Sequence, residues 1–258
     1  MFRLKQKKQK LKRKKDSSFS NYMTNLNISY HNVDFSQHVI LPSNNSIIIA
    51  QTQNILNDLP SLNIVRNSQL LNETIQQATQ FANGKENFIV FGTGGSNLGA
   101  KALINILQGR ERNNIIFHDN IDPINFQNSI STIDLSTTGL IVISKSGSTP
   151  ATLSQFASLI EIFDQKKNLK AFFSNVLIIT EDKISPLSRI AHANKCTILK
   201  HEKNIGGRYS IFSNVGIVPA IIAGLDVRRI HAGALSVIED KSSRENYKIG
   251  QFFRYQNS

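Results

Sequence analysis

The chain has 258 residues, a hydrophobic content of 40% and a formal net charge of +12. That length can bury one sizeable core, or one domain with extensions. No apolar run reaches the roughly 18 residues that a membrane-spanning helix needs. The longest, Val215–Leu225, is interrupted by Gly216, Pro219 and Gly224. The single cysteine, Cys196, excludes an internal disulfide framework. It lies in an apolar run and is expected to be buried and inert.

The charge is unevenly spread. Residues 1–15 hold nine of the 30 basic residues and no acid, so the remainder carries 21 minus 18, or +3. The high pI belongs to a tail on a nearly neutral body. The tail reads in three ways: a disordered, solvated charge block; a non-specific electrostatic contact with nucleic acid or an anionic membrane; or an upstream extension, with Met23 as an alternative start. It has no apolar core of the kind a secretory signal needs. The body lacks interleaved aromatic and basic residues, so neither nucleic acid nor a membrane is expected as its partner.

Residues 1–22 therefore read as a disordered basic tail, and 23–83 as a mainly helical extension. Helical patterns run over Ile47–Leu59 and Ser68–Phe81, and Asn83-Gly84 ends the second. Alternation follows: strands at Phe88–Phe91, Ile115–His118, Leu140–Ser144, Val176–Thr180 and Cys196–Leu199, with helices at Leu98–Leu107, Pro150–Lys166 and Pro186–Ala193. Strands alternating with helices imply a parallel sheet. Continuously apolar strands imply that both sheet faces are covered. The expectation is a doubly wound, five-stranded α/β domain. Helices follow over Val215–Leu225 and Val227–Lys241.

Three segments carry chemistry. Gly92-Thr93-Gly94-Gly95-Ser96 follows the first strand, where glycines allow close backbone approach and Ser96 can present its hydroxyl at a helix start. The spacing fits a dinucleotide fingerprint poorly, although Asp119 lies at a suitable distance for one. Ser144-Lys145-Ser146-Gly147-Ser148-Thr149-Pro150 offers four hydroxyls after the third strand, with Pro150 in the first turn of a helix. Hydroxyls, free helix N–H groups and the helix dipole together make an anion cradle. A capping turn would need only one of those hydroxyls. In Gly206-Gly207-Arg208-Tyr209-Ser210, Arg208 is expected to be fixed by its neighbours and to point into a cleft, either stabilising charge on oxygen or forming a structural ion pair.

In this order and approximate spacing the three segments resemble the glucose-6-phosphate isomerases, within the wider sugar isomerase (SIS) domain group. The resemblance covers about Asn87–Leu225 and implies a flavodoxin-like sugar isomerase domain over 84–225. It implies that Ser96, Ser144, Ser146 and Thr149 hold a sugar phosphate, helped by Lys145 and the backbone of Gly95. Arg208 would stabilise an enediolate as a proton moves between C1 and C2 of glucose 6-phosphate and fructose 6-phosphate. No metal and no organic cofactor is implied. A homodimer in the cytoplasm is implied, serving glycolysis and gluconeogenesis. The family's proton-shuttling Glu, ring-opening His and late Lys lie well downstream of the arginine motif, whereas 50 residues follow Arg208 here. The chain is thus expected to be an incomplete or degraded isomerase, with 226–258 leading to a second domain it lacks. The alternative is a non-catalytic phosphosugar-binding module. Ala151 stands where the family usually has an acid.

Overall fold

The computed structural model describes residues 58–107, 114–131 and 133–239. The expected tail, the helix over Ile47–Leu59 apart from its last two positions, and residues 240–258 lie outside them. Five strands form one parallel sheet: β1 (Asn87–Phe91), β2 (Ile115–His118), β3 (Thr138–Ile143), β4 (Val176–Thr180) and β5 (Thr197–Lys200). Their order, β2-β1-β3-β4-β5, is the flavodoxin-like order, with its switch point between β1 and β3.

The helices in chain order are α1 (Pro60–Asn63), α2 (Ser68–Ala82), α3 (Gly95–Leu107), α4 (Pro123–Ser131), α5 (Pro150–Gln165), α6 (Leu169–Ser174), α7 (Pro186–Ala193), α8 (Asn214–Ile222) and α9 (Val227–Glu239). All six residues of β3 are buried, as suits the central strand of a sheet covered on both faces. Successive side chains go to opposite layers. Ile89, Phe91, Leu140, Val142 and Ile178 pack with Phe156, Leu159 and Phe163 of α5, Phe172 of α6 and Leu187 of α7. Phe88, Val90, Ile141, Ile143 and Leu177 pack with Ala78 and Phe81 of α2 and Val215 and Val218 of α8.

The structure departs from the sequence expectation in several places. Helix α3 starts at Gly95 rather than Leu98, inside the glycine motif. Strand β3 starts two residues early, at Thr138; Gly139 lets the Phe88 ring lie across it, since a Cβ there would sit 2.8 Å from that ring. Strand β5 spans Thr197–Lys200, leaving Cys196 outside. Helix α8 stops at Ile222. Three helices were not read from the sequence: α1, α4 and α6. Asp122 caps α4, its Oδ1 accepting from the N–H groups of Ile124 and Asn125 at 3.0 and 3.1 Å. Pro123 occupies the first helical position, as an Asp-Pro start allows. Helix α6 is only six residues long and buries Phe172 and Phe173.

Cys196 is buried in the α5–α7 layer, and burial raises its thiol pKa to about 11. The thiolate is the nucleophile. Cys196 is therefore expected to resist iodoacetamide in the native chain at about pH 8, and to alkylate readily once the chain is unfolded, where the ordinary pKa is about 8.5. Mass spectrometry of both states checks this.

Three histidines, His118, His201 and His231, are buried, and burial lowers the pKa of each. The folded state therefore prefers them neutral, while the unfolded chain takes up protons near pH 6.5. Their contribution to stability is present above that pH and is lost as pH falls below it. Denaturant midpoints are expected to fall between about pH 7.5 and about pH 5.5, and His201→Gln should flatten the slope.

Candidate functional site

The site is built where β1 and β3 end side by side. Beyond Phe91 the chain turns through Gly92, Thr93 and Gly94, the last at φ +55, and enters α3 at Gly95. The N–H groups of Ser96 and Asn97 bond to the carbonyls of Thr93 and Gly94, and that of Leu98 also reaches Gly94. Gly95 therefore holds the first-turn N–H with no backbone acceptor among the described residues. The side chain of Asn97 is fully buried and donates to the carbonyls of Gly92 and His118, locking this turn to the ends of β1 and β2. Ser96 stands half-buried beside Gly95 and makes no side-chain hydrogen bond to the described residues.

The second loop leaves β3 at Ser144, which is 1% exposed. Its hydroxyl lies 2.9 Å from that of Thr149, and the Ser146 hydroxyl lies 3.5 Å from Thr149 and 3.1 Å from Ser148. The four hydroxyls thus form one cluster. None of them caps α5: Thr149 is the N-cap residue and makes no side-chain cap bond, and Pro150 follows at the first position. The capping alternative fails on this point. The first turn of α5 also contains no acid. Ala151 leaves its positive end without a local counter-charge. Gly147 at φ +65 closes the loop; a Cβ there would collide with the Ser185 side chain.

Sequence reasoning missed Thr152. It is fully buried on the first turn of α5, and its hydroxyl has no partner among the described residues. It lies three positions after Thr149, hence on the same helix face. That spacing was the available signal.

The third segment forms a single 3₁₀ turn, Gly207–Tyr209. Its backbone is held tightly: Tyr209 N–H bonds to Gly206 at 2.8 Å, and the Ser210 hydroxyl to the Gly207 carbonyl at 2.6 Å. A Cβ on Gly95 would overlap the Gly207 carbonyl and come within 2.6 Å of the Arg208 nitrogen. A Cβ on Gly92 would lie 3.3 Å from the carbonyl of Ile143, the last residue of β3. The structure therefore brings the three segments into contact.

Two residues differ from expectation. The Arg208 side chain is exposed, 6.0 Å from the Tyr209 ring, and pairs with no carboxylate among the described residues. Its backbone is fixed, and the structural ion pair is absent among the described residues. Lys145 is already engaged. Its Nζ donates to the carbonyls of Lys203 at 2.7 Å and Ile205 at 3.0 Å and lies 3.5 Å from Glu181. An ammonium has three donors; two are spent on these carbonyls and the Glu181 carboxylate faces the group. Asp119, the residue a dinucleotide would need, is paired with Lys101 at 2.6 Å, and that hydrogen bond lowers its pKa.

The family model for phosphoglucose isomerase matches residues 5–244. The chain belongs to the phosphoglucose isomerase family. It is 34% identical over 185 residues to a glucose-6-phosphate isomerase of Campylobacter jejuni, covering 69% of this chain and 44% of that one. A probable glucose-6-phosphate isomerase of Methanococcus maripaludis is 31% identical over 177 residues, covering 67% and 40%. In fold the chain is similar to a hypothetical protein of Thermus thermophilus, with a TM-score of 0.67 and 24% identity over 76% of this chain and 49% of that one. It is also similar to a glucose-6-phosphate isomerase of Chlamydia trachomatis, with a TM-score of 0.56 and 19% identity over 74% and 45%. The chain thus spans 44% and 40% of the length of the two curated relatives, from Campylobacter jejuni and Methanococcus maripaludis.

The contact between Gly95 and the arginine turn yields a prediction. Gly95→Ala overpacks two backbones, and such changes cost about 1–3 kcal/mol. Chemical denaturation should show a loss of that size, and tryptic cleavage after Arg208 should accelerate. Ala102→Ser, on the exposed side of α3, should change neither.

Proposed function

We propose that this chain carries the phosphosugar-binding half of a glucose-6-phosphate isomerase, acting on glucose 6-phosphate and fructose 6-phosphate. The observation that carries this reading is the uncapped, acid-free start of α5 set within the cluster of Ser144, Ser146, Ser148 and Thr149. Helix N–H groups without a cap and with the dipole behind them suit a dianionic phosphate. The Gly95 N–H and Ser96 hydroxyl approach from α3, and Thr152 adds a buried hydroxyl from α5. Lys145 has no part in the cradle.

With the phosphate held there, the sugar extends toward the arginine turn. The exposed guanidinium of Arg208 can stabilise the oxygen charge of a cis-enediolate, formed as a proton passes between C2 and C1. No carboxylate pairs with Arg208 to compete for that role among the described residues. A homodimer and a cytoplasmic setting belong to the same proposal.

Titration with fructose 6-phosphate, followed by coupled turnover, tests the reading. Saturable binding is expected, and Ser146→Ala should weaken it about tenfold, the loss of one hydrogen bond to a charged oxygen. Turnover, where measurable, should fall about 100-fold or more in Arg208→Ala. Absence of binding would overturn the proposal. Binding with no turnover, even beside the complementary part of a relative, would instead make the chain a phosphosugar-binding module.

A further inference from the structure

Lys145 lies inside the second loop, yet its bonds lead out of it. Its backbone carbonyl accepts from the N–H of Glu181, just beyond β4. Its Nζ reaches the carbonyls of Lys203 and Ile205, beyond β5. The Glu181 carboxylate closes the set: it pairs with Lys183 as well as Lys145, and the hydrogen bond from Lys183 chiefly lowers its pKa. One residue thus joins the carboxyl ends of three adjacent strands. The two carbonyls it holds lie immediately before Gly206-Gly207-Arg208, and Ile205 is buried against Ile64 and Val65.

We propose that Lys145 is a positioning residue that ties the arginine turn to the hydroxyl cradle. This rests on the reading of cradle and arginine given above. A phosphate on the hydroxyls and an oxyanion facing Arg208 belong to one substrate, so the span between them must be fixed. The guanidinium lies over the exposed Tyr209 ring and pairs with no carboxylate among the described residues, so the backbone of Arg208 supplies the precision. Gly95 supports that backbone from α3. Lys145 holds its approach through two charge-assisted hydrogen bonds, the stronger kind. Those bonds use two of the ammonium donors that a phosphate would otherwise take.

The test compares Lys145→Met with Ser146→Ala and Arg208→Ala in the full chain, with inorganic phosphate and fructose 6-phosphate as probes. Lys145→Met should leave the affinity for inorganic phosphate within about threefold, since its ammonium is directed to the carbonyls of Lys203 and Ile205 and to Glu181. Amide exchange over Ile205–Ser210 should speed up about tenfold or more. The loss of fructose 6-phosphate affinity should not add to that of Arg208→Ala in the double variant, because both act on one contact. A merely structural role would give additive losses. The proposal is overturned if phosphate affinity falls as far as in Ser146→Ala while exchange is unchanged, which would make Lys145 a direct ligand.

Should Lys145→Met not fold, the wild-type chain still decides. With ¹⁵N-lysine labelling, the Lys145 ammonium should give a protected signal that persists when inorganic phosphate is added. Its displacement by phosphate would refute the positioning role. A wild-type chain that binds no phosphate would sink the cradle reading, and the exchange comparison would still report on the tie.

Discussion

Space for a Cβ is missing at Gly95, because the Gly207 carbonyl and the Arg208 nitrogen already occupy it. This meeting of two bare backbones sets the path of the arginine turn, and much of the surrounding architecture serves to maintain it. Helix α3 must lie close enough to present Gly95, and it does so by packing on the segment around Ile211. A Cβ on Gly99 would come within 3.1 Å of Ile211, and one on Gly216 of α8 would collide with its carbonyl. Asn97, in the first turn of α3, fixes the same helix to the ends of β1 and β2. The turn is therefore seated on rigid elements rather than carried on a free loop.

The start of α5 breaks the ordinary rules of helix design, and that gives it its meaning. A helix following four hydroxyls would normally use one as a cap. Here Ser144, Ser146, Ser148 and Thr149 bond among themselves, and Pro150 removes one N–H that would otherwise need an acceptor. The Ser185 cap on α7 shows the contrast. It accepts from Ser188 and forms a full capping box, in a helix with no counterpart to the hydroxyl cluster. Local inconsistency confined to one helix start, in a domain otherwise consistent across levels, is the pattern that supports the proposed site.

The strands were legible because short apolar runs have few alternatives when glycine and polar turns bound them. Their order was not, since nothing in β1 or β3 taken alone says which strand lies beside it; the flavodoxin-like arrangement came from family resemblance. Helix α4 could have been read from Asp122-Pro123, whereas α6 is too short to show a period. At the site, the hydroxyls and glycines declared themselves through spacing. The roles of Lys145 and Thr152 did not. Lysine beside a phosphate-type loop suggests a ligand, and only the three-dimensional position of Lys203, Ile205 and Glu181 shows where its donors go. The Arg208 side chain is likewise more exposed than a glycine-hinged turn suggests, because the hinge orders the backbone and stops there.

The site depends at Gly95 and Gly147 on atoms that are absent. A glycine codon has no neighbour by single-nucleotide change that preserves this; every such missense step adds a side chain. At Gly147 the added Cβ meets Ser185 in a backbone conformation at φ +65 that also strains it. At Gly95 it meets another stretch of backbone, which cannot swing aside as a flexible side chain would. The two positions therefore have no graded variants through which function could drift. In this chain they behave as switches, and tuning of the site must come from the residues around them.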